Sequence, residues 1–221
     1  MKRFVLFDLD GTLLNSMPYH ARAWMEVLEK YGIPFEERDV YINEGALEFE
    51  VVKKIFESKG ISVDEKFFNE LFKEQKKIFK TKYSSFVKPY PGVVELLEDL
   101  KTKGKRLALV TSSHKEVLGE VVSSELLNFF DVVLTGDSTN RRKPHPEPYL
   151  KALSFLKAPK EDAVVVENSP AGVHSAKNAG LFCIAITTTL EPEYLCPPAD
   201  LIVENHEKLR EVLLNGKKER I

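Results

Sequence analysis

Short apolar runs that alternate with amphipathic segments constrain the fold of this chain more than any other feature. Because strands buried on both faces are apolar throughout, the pattern is typical of a parallel sheet covered by helices on both sides. The sequence therefore predicts an α/β fold with a Rossmann-like parallel-sheet core. The predicted strands cover residues 3–8, 106–111, 131–135, 163–167, 182–187 and 200–203, and the predicted core helices cover 93–103, 115–127, 147–156 and 171–179.

Residues 15–87 lack convincing strands and have the pattern of helices instead. Three stretches with helical periodicity, each ended by a glycine or proline region, cover residues 19–31, 47–58 and 65–83. Ligands of parallel α/β sheets bind beyond the carboxyl ends of the strands, and a helical block inserted after the first strand would cover that crevice. We therefore expect a core of residues 1–14 and 88–221 and an inserted α-helical cap domain of residues 15–87.

Composition and charge argue against several classes of protein. The 221 residues carry a formal net charge of −2, which does not suit a nucleic-acid groove. The two cysteines, Cys183 and Cys196, give neither a disulfide framework nor a metal-binding spacing, as is usual in a reducing cytosol. No apolar stretch is long enough for a signal peptide or a membrane span. We expect a cytoplasmic protein without nucleic-acid or membrane partners, and a monomer is compatible with the sequence.

Two carboxylates, Asp8 and Asp10, follow the first apolar run in the segment DLDGT. Alternation along a strand points them to the same side, where two close carboxylates need a cation between them or a proton on one. That asymmetry suits one as a nucleophile and the other as a proton shuttle. Gly11 lets the backbone turn sharply, and Thr12 adds a hydroxyl. The alternative is a strand end at which both aspartates face water.

Polar residues also follow three other predicted strands. Thr111 and Ser112 offer hydroxyls and free backbone N–H groups to an anion, Lys143 precedes a proline that restricts its backbone, and Glu167 and Asn168 offer oxygen ligands. Each has an ordinary structural alternative: helix capping for Ser112 and Asn168, and a solvated surface for Lys143. The order of the segments along the chain adds information that no single one carries.

The segments DLDGT, LVTSS, KPHPEPY and VVVENSPAG, in this order, resemble the four motifs of the haloacid dehalogenase superfamily of phosphotransferases. The resemblance covers nearly the whole chain, including the helical insert. It implies an enzyme in which Asp8 is the nucleophile that forms an aspartyl-phosphate and Asp10 is the general acid that later activates water. It also implies that Thr111 and the Ser112 amide hold the phosphoryl oxygens and that Lys143 offsets their charge.

The same resemblance implies a Mg²⁺ cofactor bound by Asp8, the Asp10 carbonyl and Asn168, with Glu167 close behind. Many relatives carry an aspartate where this chain has Asn168, so the site loses one negative charge. Metal affinity would then fall unless Glu167 compensates. The residues expected to contact the substrate are Gly11, His20, Ser112 and Glu167.

Residues 19–24 (YHARAW) resemble the cap entry of β-phosphoglucomutase-type members of the superfamily. In that subgroup His20 would couple cap closure to Asp10; alternatively, these side chains only pack the first cap helix. Mutases also use a cap arginine to bind a second phosphate, and in segment 44–48 this chain has Leu47 or Glu48 instead. A lysine at 76 or 77 is an alternative cation.

The expected function is hydrolysis of a small phosphomonoester, a sugar or polyol phosphate, with Mg²⁺ as cofactor. The first alternative is a β-phosphoglucomutase-like phosphomutase. The second is a catalytically weakened protein that binds a phosphorylated metabolite, suggested only by Asn168. In each case the partner is a phosphorylated small molecule.

Overall fold

A six-stranded parallel sheet organises the chain, in the order β3-β2-β1-β4-β5-β6. The computed structural model describes residues 2–43 and 49–215. Every predicted strand is present, and the predicted fold class is confirmed. The strands are β1 (Phe4–Phe7), β2 (Arg106–Val110), β3 (Val132–Leu134), β4 (Ala163–Glu167), β5 (Phe182–Ile186) and β6 (Leu201–Val203).

Eleven α-helices lie within the described residues. Four of them, between β1 and the second half of the core, are α1 (Met17–Lys30), α2 (Glu37–Ile42), α3 (Phe49–Ser58) and α4 (Glu65–Ile78), followed by a π-helix at Phe79–Tyr83. The remainder are α5 (Val93–Thr102), α6 (Lys115–Val121), α7 (Ser124–Leu127), α8 (Glu147–Leu156), α9 (Pro170–Asn178), α10 (Pro192–Leu195) and α11 (His206–Asn215). None of the helices in the described residues combines the length and apolarity needed to cross a bilayer.

Both faces of the sheet are buried, which is why the strands are apolar throughout. Val5 and Phe7 pack on one side with α5 and α11, whereas Phe4 and Leu6 pack on the other with Tyr149 of α8. Because side chains alternate along a strand, the parity of Phe4 and Leu6 continues to Asp8 just beyond β1. The first aspartate therefore emerges on the side of the sheet that α8 covers.

The centre of the sheet is the place where its winding reverses. The chain adds β2 and β3 on one side of β1, then crosses back to place β4 on the other side. A crevice forms at such a switch point, outside the carboxyl ends of the strands. Asp8, whose N–H donates to the Val166 carbonyl at 3.0 Å, lies at this reversal.

Trp24 and Val27 of α1 and Phe68 of α4 belong to the same buried apolar cluster as Val5 and Phe7 of β1, so the interior of the insert is continuous with that of the core. The chain enters and leaves this helical insert at adjacent points. The Asn15 N–H donates to the Lys88 carbonyl at 2.9 Å, and the Lys88 N–H donates to Asn15 Oδ1 at 2.8 Å. The boundaries 15 and 87 of an independent cap domain stay a prediction.

Several helices differ from their predicted extents for local reasons. The predicted helix 115–127 is divided into α6 and α7, because Ser123 caps a new helix by accepting the Leu126 N–H at 3.3 Å. The helix predicted over 65–83 leaves α geometry at Phe79. The short α2, which a capping box between Glu36 and Asp39 begins, and the C-terminal α11 were not predicted.

Candidate active site

Lys143 is the centre of a buried ionic cluster at the end of β1. Its Nζ donates to Asp8 Oδ1 and to Glu167 Oε1, each at 2.6 Å, and to the Val110 carbonyl at 3.0 Å. Only 2% of the residue is exposed. Burial alone would lower the pKa of Lys143, but the charges of Asp8 and Glu167 raise it above its ordinary value, so the lysine stays protonated.

Glu167 is held by donors on both of its oxygens. Besides Lys143, Oε1 accepts the Tyr149 hydroxyl at 2.7 Å, and Oε2 accepts the Asn168 N–H at 3.1 Å and the Ser169 hydroxyl at 3.3 Å. The carboxylate is fully buried. Glu167 therefore fixes the position of Lys143 from the side away from the cavity.

Asp8 has one oxygen bound by Lys143 and one without a partner. Within the described residues its Oδ2 is buried and forms no hydrogen bond. Burial raises the pKa of Asp8 to about 8, against the lowering effect of Lys143, and the charges of Glu167 and Asp10 raise it further. An orphaned carboxylate oxygen of this kind is suited to contact a cation or an electrophile.

The surroundings of Asp10 lower its pKa, whereas those of Asp8 raise its pKa. Its Oδ1 accepts the Ser16 hydroxyl at 2.6 Å, its Oδ2 accepts the Ser113 hydroxyl at 2.7 Å, and the His20 ring lies 3.7 Å from Oδ1. Burial alone would raise the pKa of Asp10, but His20 and the two hydroxyls lower it to about 2. Asp10 is thus a carboxylate here and a weak base; to take up a proton and donate it, Asp10 would need the pKa increase that a nearby phosphate dianion produces.

Asn168 packs tightly under the turn that follows the two aspartates. Its Oδ1 accepts the Thr12 hydroxyl at 2.8 Å, and its Nδ2 donates to Thr189 Oγ1 at 3.1 Å. A Cβ on Gly11 would lie 2.2 Å from Asn168 Nδ2, and Gly11 has a φ of +79°. The glycine is therefore required both for the turn and for the approach of the amide.

A cavity lies between the strand ends and the helical insert, and it separates the predicted site residues into two groups. Those on its wall are Asp8, Asp10, His20, Ser112 and Lys143. Those behind the wall are Gly11, Thr111, Glu167 and Asn168. The Thr111 hydroxyl donates a hydrogen bond to Asp10 Oδ2 at 3.3 Å. The substrate contact predicted for Glu167 does not match its position behind Lys143.

The roof of the cavity comes from the insert and includes several aromatic side chains. Trp24, Phe72 and Phe79 contribute to it, and the His20 ring stacks on Phe79 with centroids 3.9 Å apart. His20 Nδ1 also lies 3.4 Å from Gln75 Nε2. One face of the roof thus contacts Asp10 through His20. The cap segment 44–48, which aligns with the cap arginine of the mutases, lies outside the described residues.

Sequence reasoning missed several residues that support the site. Ser16 and Tyr149 hydrogen-bond to Asp10 and Glu167, and buried His206 places Nε2 2.8 Å from the Thr12 carbonyl. Tyr149 lies in the segment KPHPEPY, so its proximity to Lys143 was a usable signal. No local pattern marks Ser16 or His206, and the contact of His206 joins residues 194 positions apart.

The donors around Asp8 fit a magnesium ion. Hard oxygen ligands are what Mg²⁺ prefers, and the buried Asp8 Oδ2 has no partner among the described residues. Asn168 lies beside the turn at Gly11, with Nδ2 next to the glycine and Oδ1 accepting the Thr12 hydroxyl at 2.8 Å. The family resemblance names Asp8, the Asp10 carbonyl and Asn168 as the residues that would hold the ion, and this assignment stays a prediction.

The fold and the site together define an α/β enzyme with an acidic centre at the switch point of a parallel sheet. The family model for haloacid dehalogenase-like hydrolases matches residues 5–186. The chain belongs to this family, and it is an enzyme of the phosphatase and phosphotransferase type.

Three known proteins illustrate the relationship. The chain is 32% identical over 212 residues to validoxylamine A 7′-phosphate phosphatase of Streptomyces hygroscopicus subsp. limoneus, covering 95% of this chain and 97% of that protein. It is 37% identical over 179 residues to a phosphorylated carbohydrates phosphatase of Thermotoga maritima, covering 80% and 81%. The structure of CbbY from Rhodobacter sphaeroides in complex with phosphate superposes with a TM-score of 0.75 at 26% identity, covering 95% and 96%.

Proposed function

We propose that the protein is a Mg²⁺-dependent phosphomonoester hydrolase that acts through an aspartyl-phosphate on Asp8. The observation that carries this proposal is the buried, partnerless Oδ2 of Asp8 beside Lys143, at the wall of a cavity. A nucleophile for phosphoryl transfer needs a free oxygen, and the phosphoryl group needs nearby positive charge. Both are present within one cluster.

In the first half of the reaction, Asp8 attacks phosphorus and the ester P–O bond breaks. The charge of the incoming phosphate raises the pKa of Asp10, which takes up a proton from the monoanionic phosphate or from solvent and then gives it to the leaving alkoxide. Lys143 offsets charge on the phosphoryl oxygens, with the Ser112 N–H as a further donor. The ion held by Asp8, Asp10 and Asn168 supplies additional positive charge when bound.

In the second half, water attacks the phosphorus of the aspartyl-phosphate. Asp10, which became a carboxylate when it protonated the leaving alkoxide, accepts the water proton. The bond between phosphorus and the Asp8 oxygen breaks, which restores the carboxylate and releases inorganic phosphate. The insert roof over the cavity limits the water that reaches the site.

The substrate we propose is a small sugar or polyol phosphate. Aromatic side chains above a polar floor suit a ring or chain of carbons that bears hydroxyl groups. One relative is named for phosphorylated carbohydrates and the other for validoxylamine A 7′-phosphate. A reaction on such metabolites is consistent with a cytoplasmic location.

A phosphate-release assay on a panel of sugar and polyol phosphates, with and without Mg²⁺, tests the proposal. We expect turnover that requires Mg²⁺ and is abolished by Asp8→Asn, which keeps the shape of the side chain but removes the nucleophile. Radiolabelled substrate quenched in acid should leave label on the wild type and none on the variant. Absence of turnover with every phosphomonoester would contradict the proposal.

A phosphomutase is the second candidate, favoured by His20, an insert residue that lies near Asp10 and stacks on Phe79. In that case the aspartyl-phosphate would pass to a second hydroxyl of the sugar rather than to water. Incubation of β-glucose 1-phosphate with a bisphosphate primer distinguishes the two. Formation of glucose 6-phosphate faster than inorganic phosphate would establish the mutase.

A further inference from the structure

Three consecutive backbone carbonyls in the turn after Asp10 accept hydrogen bonds from residues that are distant in the chain. The pairs are the Gly11 carbonyl with the Thr188 hydroxyl, the Thr12 carbonyl with His206 Nε2 at 2.8 Å, and the Leu13 carbonyl with the Tyr90 N–H at 2.9 Å. The turn is buried, so a carbonyl that lost its partner would cost free energy. The conformation of the turn therefore depends on groups outside it.

His206 is the donor whose chemistry differs most from its surroundings. It begins α11, and the other buried residues of that helix are Leu209 and Leu213. Spacings of three and seven residues place all three on one helix face, which is otherwise apolar. Only 6% of His206 is exposed. A leucine would fill such a position without burying polar nitrogens, so the imidazole needs a specific partner.

The partner of the ring fixes its protonation. Because a carbonyl oxygen only accepts hydrogen bonds, His206 Nε2 must carry a proton. Burial lowers the pKa of His206, although the hydrogen bond to the Thr12 carbonyl acts in the opposite sense, so the ring is neutral near pH 7. The Tyr90 ring stacks on the imidazole with centroids 5.1 Å apart. His206 therefore presents one N–H donor in one fixed direction.

The Thr12 residue connects His206 to two groups of the site. Its hydroxyl donates to Asn168 Oδ1 at 2.8 Å, and the Asp10 carbonyl lies two residues earlier at the start of the same turn. His206 itself lies behind the cavity wall. A shift of the Thr12 carbonyl would move the Asp10 carbonyl and the Asn168 amide together, so His206 can influence both without touching the substrate.

We propose that His206 is a positioning residue for the reaction: its Nε2–H holds the Thr12 carbonyl and so keeps Asp10 and Asn168 in the arrangement that binds the metal ion. The inference rests on the phosphatase function proposed above and adds a residue outside the four motifs to its machinery. The alternative is a purely structural role, in which His206 only satisfies a buried carbonyl.

The test compares His206→Leu, which fills the volume without a donor, with His206→Gln, whose amide nitrogen can replace Nε2. The assay uses the sugar phosphate that the wild type hydrolyses fastest. We expect His206→Leu to lower kcat about tenfold and to keep KM within about twofold, because the cavity wall is unchanged. His206→Gln should keep kcat within about threefold of the wild type.

Leu213→Ala is the matched control, because Leu213 is a buried residue two helical turns further along α11. It should lower Tm without changing kcat or KM. If circular dichroism shows that His206→Leu does not fold, His206→Asn replaces it, since the shorter amide cannot reach the Thr12 carbonyl.

The second measurement is Mg²⁺ binding without substrate, by calorimetric titration of the metal-free protein. The dissociation constant should rise about tenfold in His206→Leu and stay within about threefold in His206→Gln, as expected for a residue that orients metal ligands. Leu213→Ala should bind Mg²⁺ like the wild type.

A structural role alone would lower the Tm of His206→Leu, as in Leu213→Ala, and leave kcat and the Mg²⁺ dissociation constant within about twofold of the wild type. That result would overturn the proposal, and so would equal losses in His206→Leu and His206→Gln, because the donor would then not matter. In both cases the phosphatase function stands.

The phosphatase function can also fail separately. If the wild type hydrolyses no phosphomonoester, that function is wrong, and the Mg²⁺ titrations alone decide whether His206 positions the metal ligands. A wild type that neither binds Mg²⁺ nor hydrolyses a phosphomonoester would contradict both proposals.

Discussion

At the scale of single residues, the cluster of Asp8, Lys143 and Glu167 sets the chemistry of the site. It contains two carboxylates and one ammonium group, all buried. One lysine compensates only one of two buried carboxylates, so in the metal-free state the cluster is neutral when Asp8 holds a proton, as its raised pKa indicates. Loss of that proton gives Asp8 a charge that a second cation would compensate.

The first prediction concerns pH and metal binding. Because the folded pKa of Asp8 is raised from 3.8 to about 8, the metal-free folded state holds a proton that the unfolded state has lost, and its stability falls as pH rises through that window. A metal ion must displace this proton. Mg²⁺ should therefore raise Tm more near pH 9 than near pH 6.

Calorimetric titration in buffers with different ionisation enthalpies should show proton release on Mg²⁺ binding near pH 6 and little near pH 9. In Asp8→Asn the amide cannot titrate, so the pH dependence of any residual metal shift should disappear. If Mg²⁺ raises the Tm of the wild type equally at both pH values, Asp8 is already ionised near pH 6 and the prediction is wrong.

The second prediction compares two donors to the same Glu167 oxygen. Lys143→Met leaves Asp8 and Glu167 buried without a cation and should lower the free energy of unfolding by about 3–5 kcal/mol. Tyr149→Phe removes one neutral donor and should cost about 1–2 kcal/mol. Urea denaturation at neutral pH measures both, and similar losses would mean that the charge of Lys143 is not what stabilises the cluster.

At the scale of secondary-structure elements, the start of α9 is shaped around a buried carboxylate. Pro170 and the Ser169 cap begin the helix, and the third helical residue is Gly172. A Cβ there would lie 1.9 Å from the Glu167 carboxyl carbon. The helix can approach β4 this closely only because position 172 has no side chain.

The third prediction follows from that contact. Gly172→Ala forces Glu167 to move and should destabilise the fold by roughly 2–4 kcal/mol, with a loss of activity because Lys143 moves as well. Gly119→Ala in α6 is the matched control, since nothing lies within 4 Å of the added Cβ. That change should stabilise the protein by up to about 1 kcal/mol. If urea denaturation shows the same change in the free energy of unfolding for Gly172→Ala and Gly119→Ala, the steric explanation is wrong.

The elements also show what the sequence could predict. The strands were predictable because burial on both faces makes them apolar, and the strand ends then bring Asp8, Thr111 and Lys143 together through topology. Contacts such as that of Ser113 with Asp10 join residues 103 positions apart and have no local pattern. The π-helix after α4 and the break before α7 likewise depend on packing between elements rather than on periodicity.

At the scale of the whole molecule, ionic contacts hold the insert against the core. Lys80, in the π-helix of the insert, lies 2.7 Å from Glu120 and 3.4 Å from Glu116 of α6. Elsewhere on the boundary, Arg38 of α2 donates to the Tyr194 hydroxyl at 3.4 Å. These contacts are exposed, so salt screens them.

The fourth prediction is that Lys80→Gln shifts the molecule toward a more open arrangement. We expect a larger radius of gyration by small-angle X-ray scattering and a higher KM, both resembling the wild type at high salt. Lys82→Gln is the control, because Lys82 pairs with Glu26 inside the insert. If Lys80→Gln and Lys82→Gln behave alike, the bridge from Lys80 to α6 does not hold the insert closed.

The paired hydrogen bonds between Asn15 and Lys88 have an evolutionary consequence. Because the two crossings of the chain are neighbours, the ends of the helical insert are as close as those of a short loop. The insert can therefore be exchanged, enlarged or shortened without altering the register of any strand. Substrate preference can then diverge by modular replacement of one segment, while the residues that break the phosphate ester are inherited unchanged.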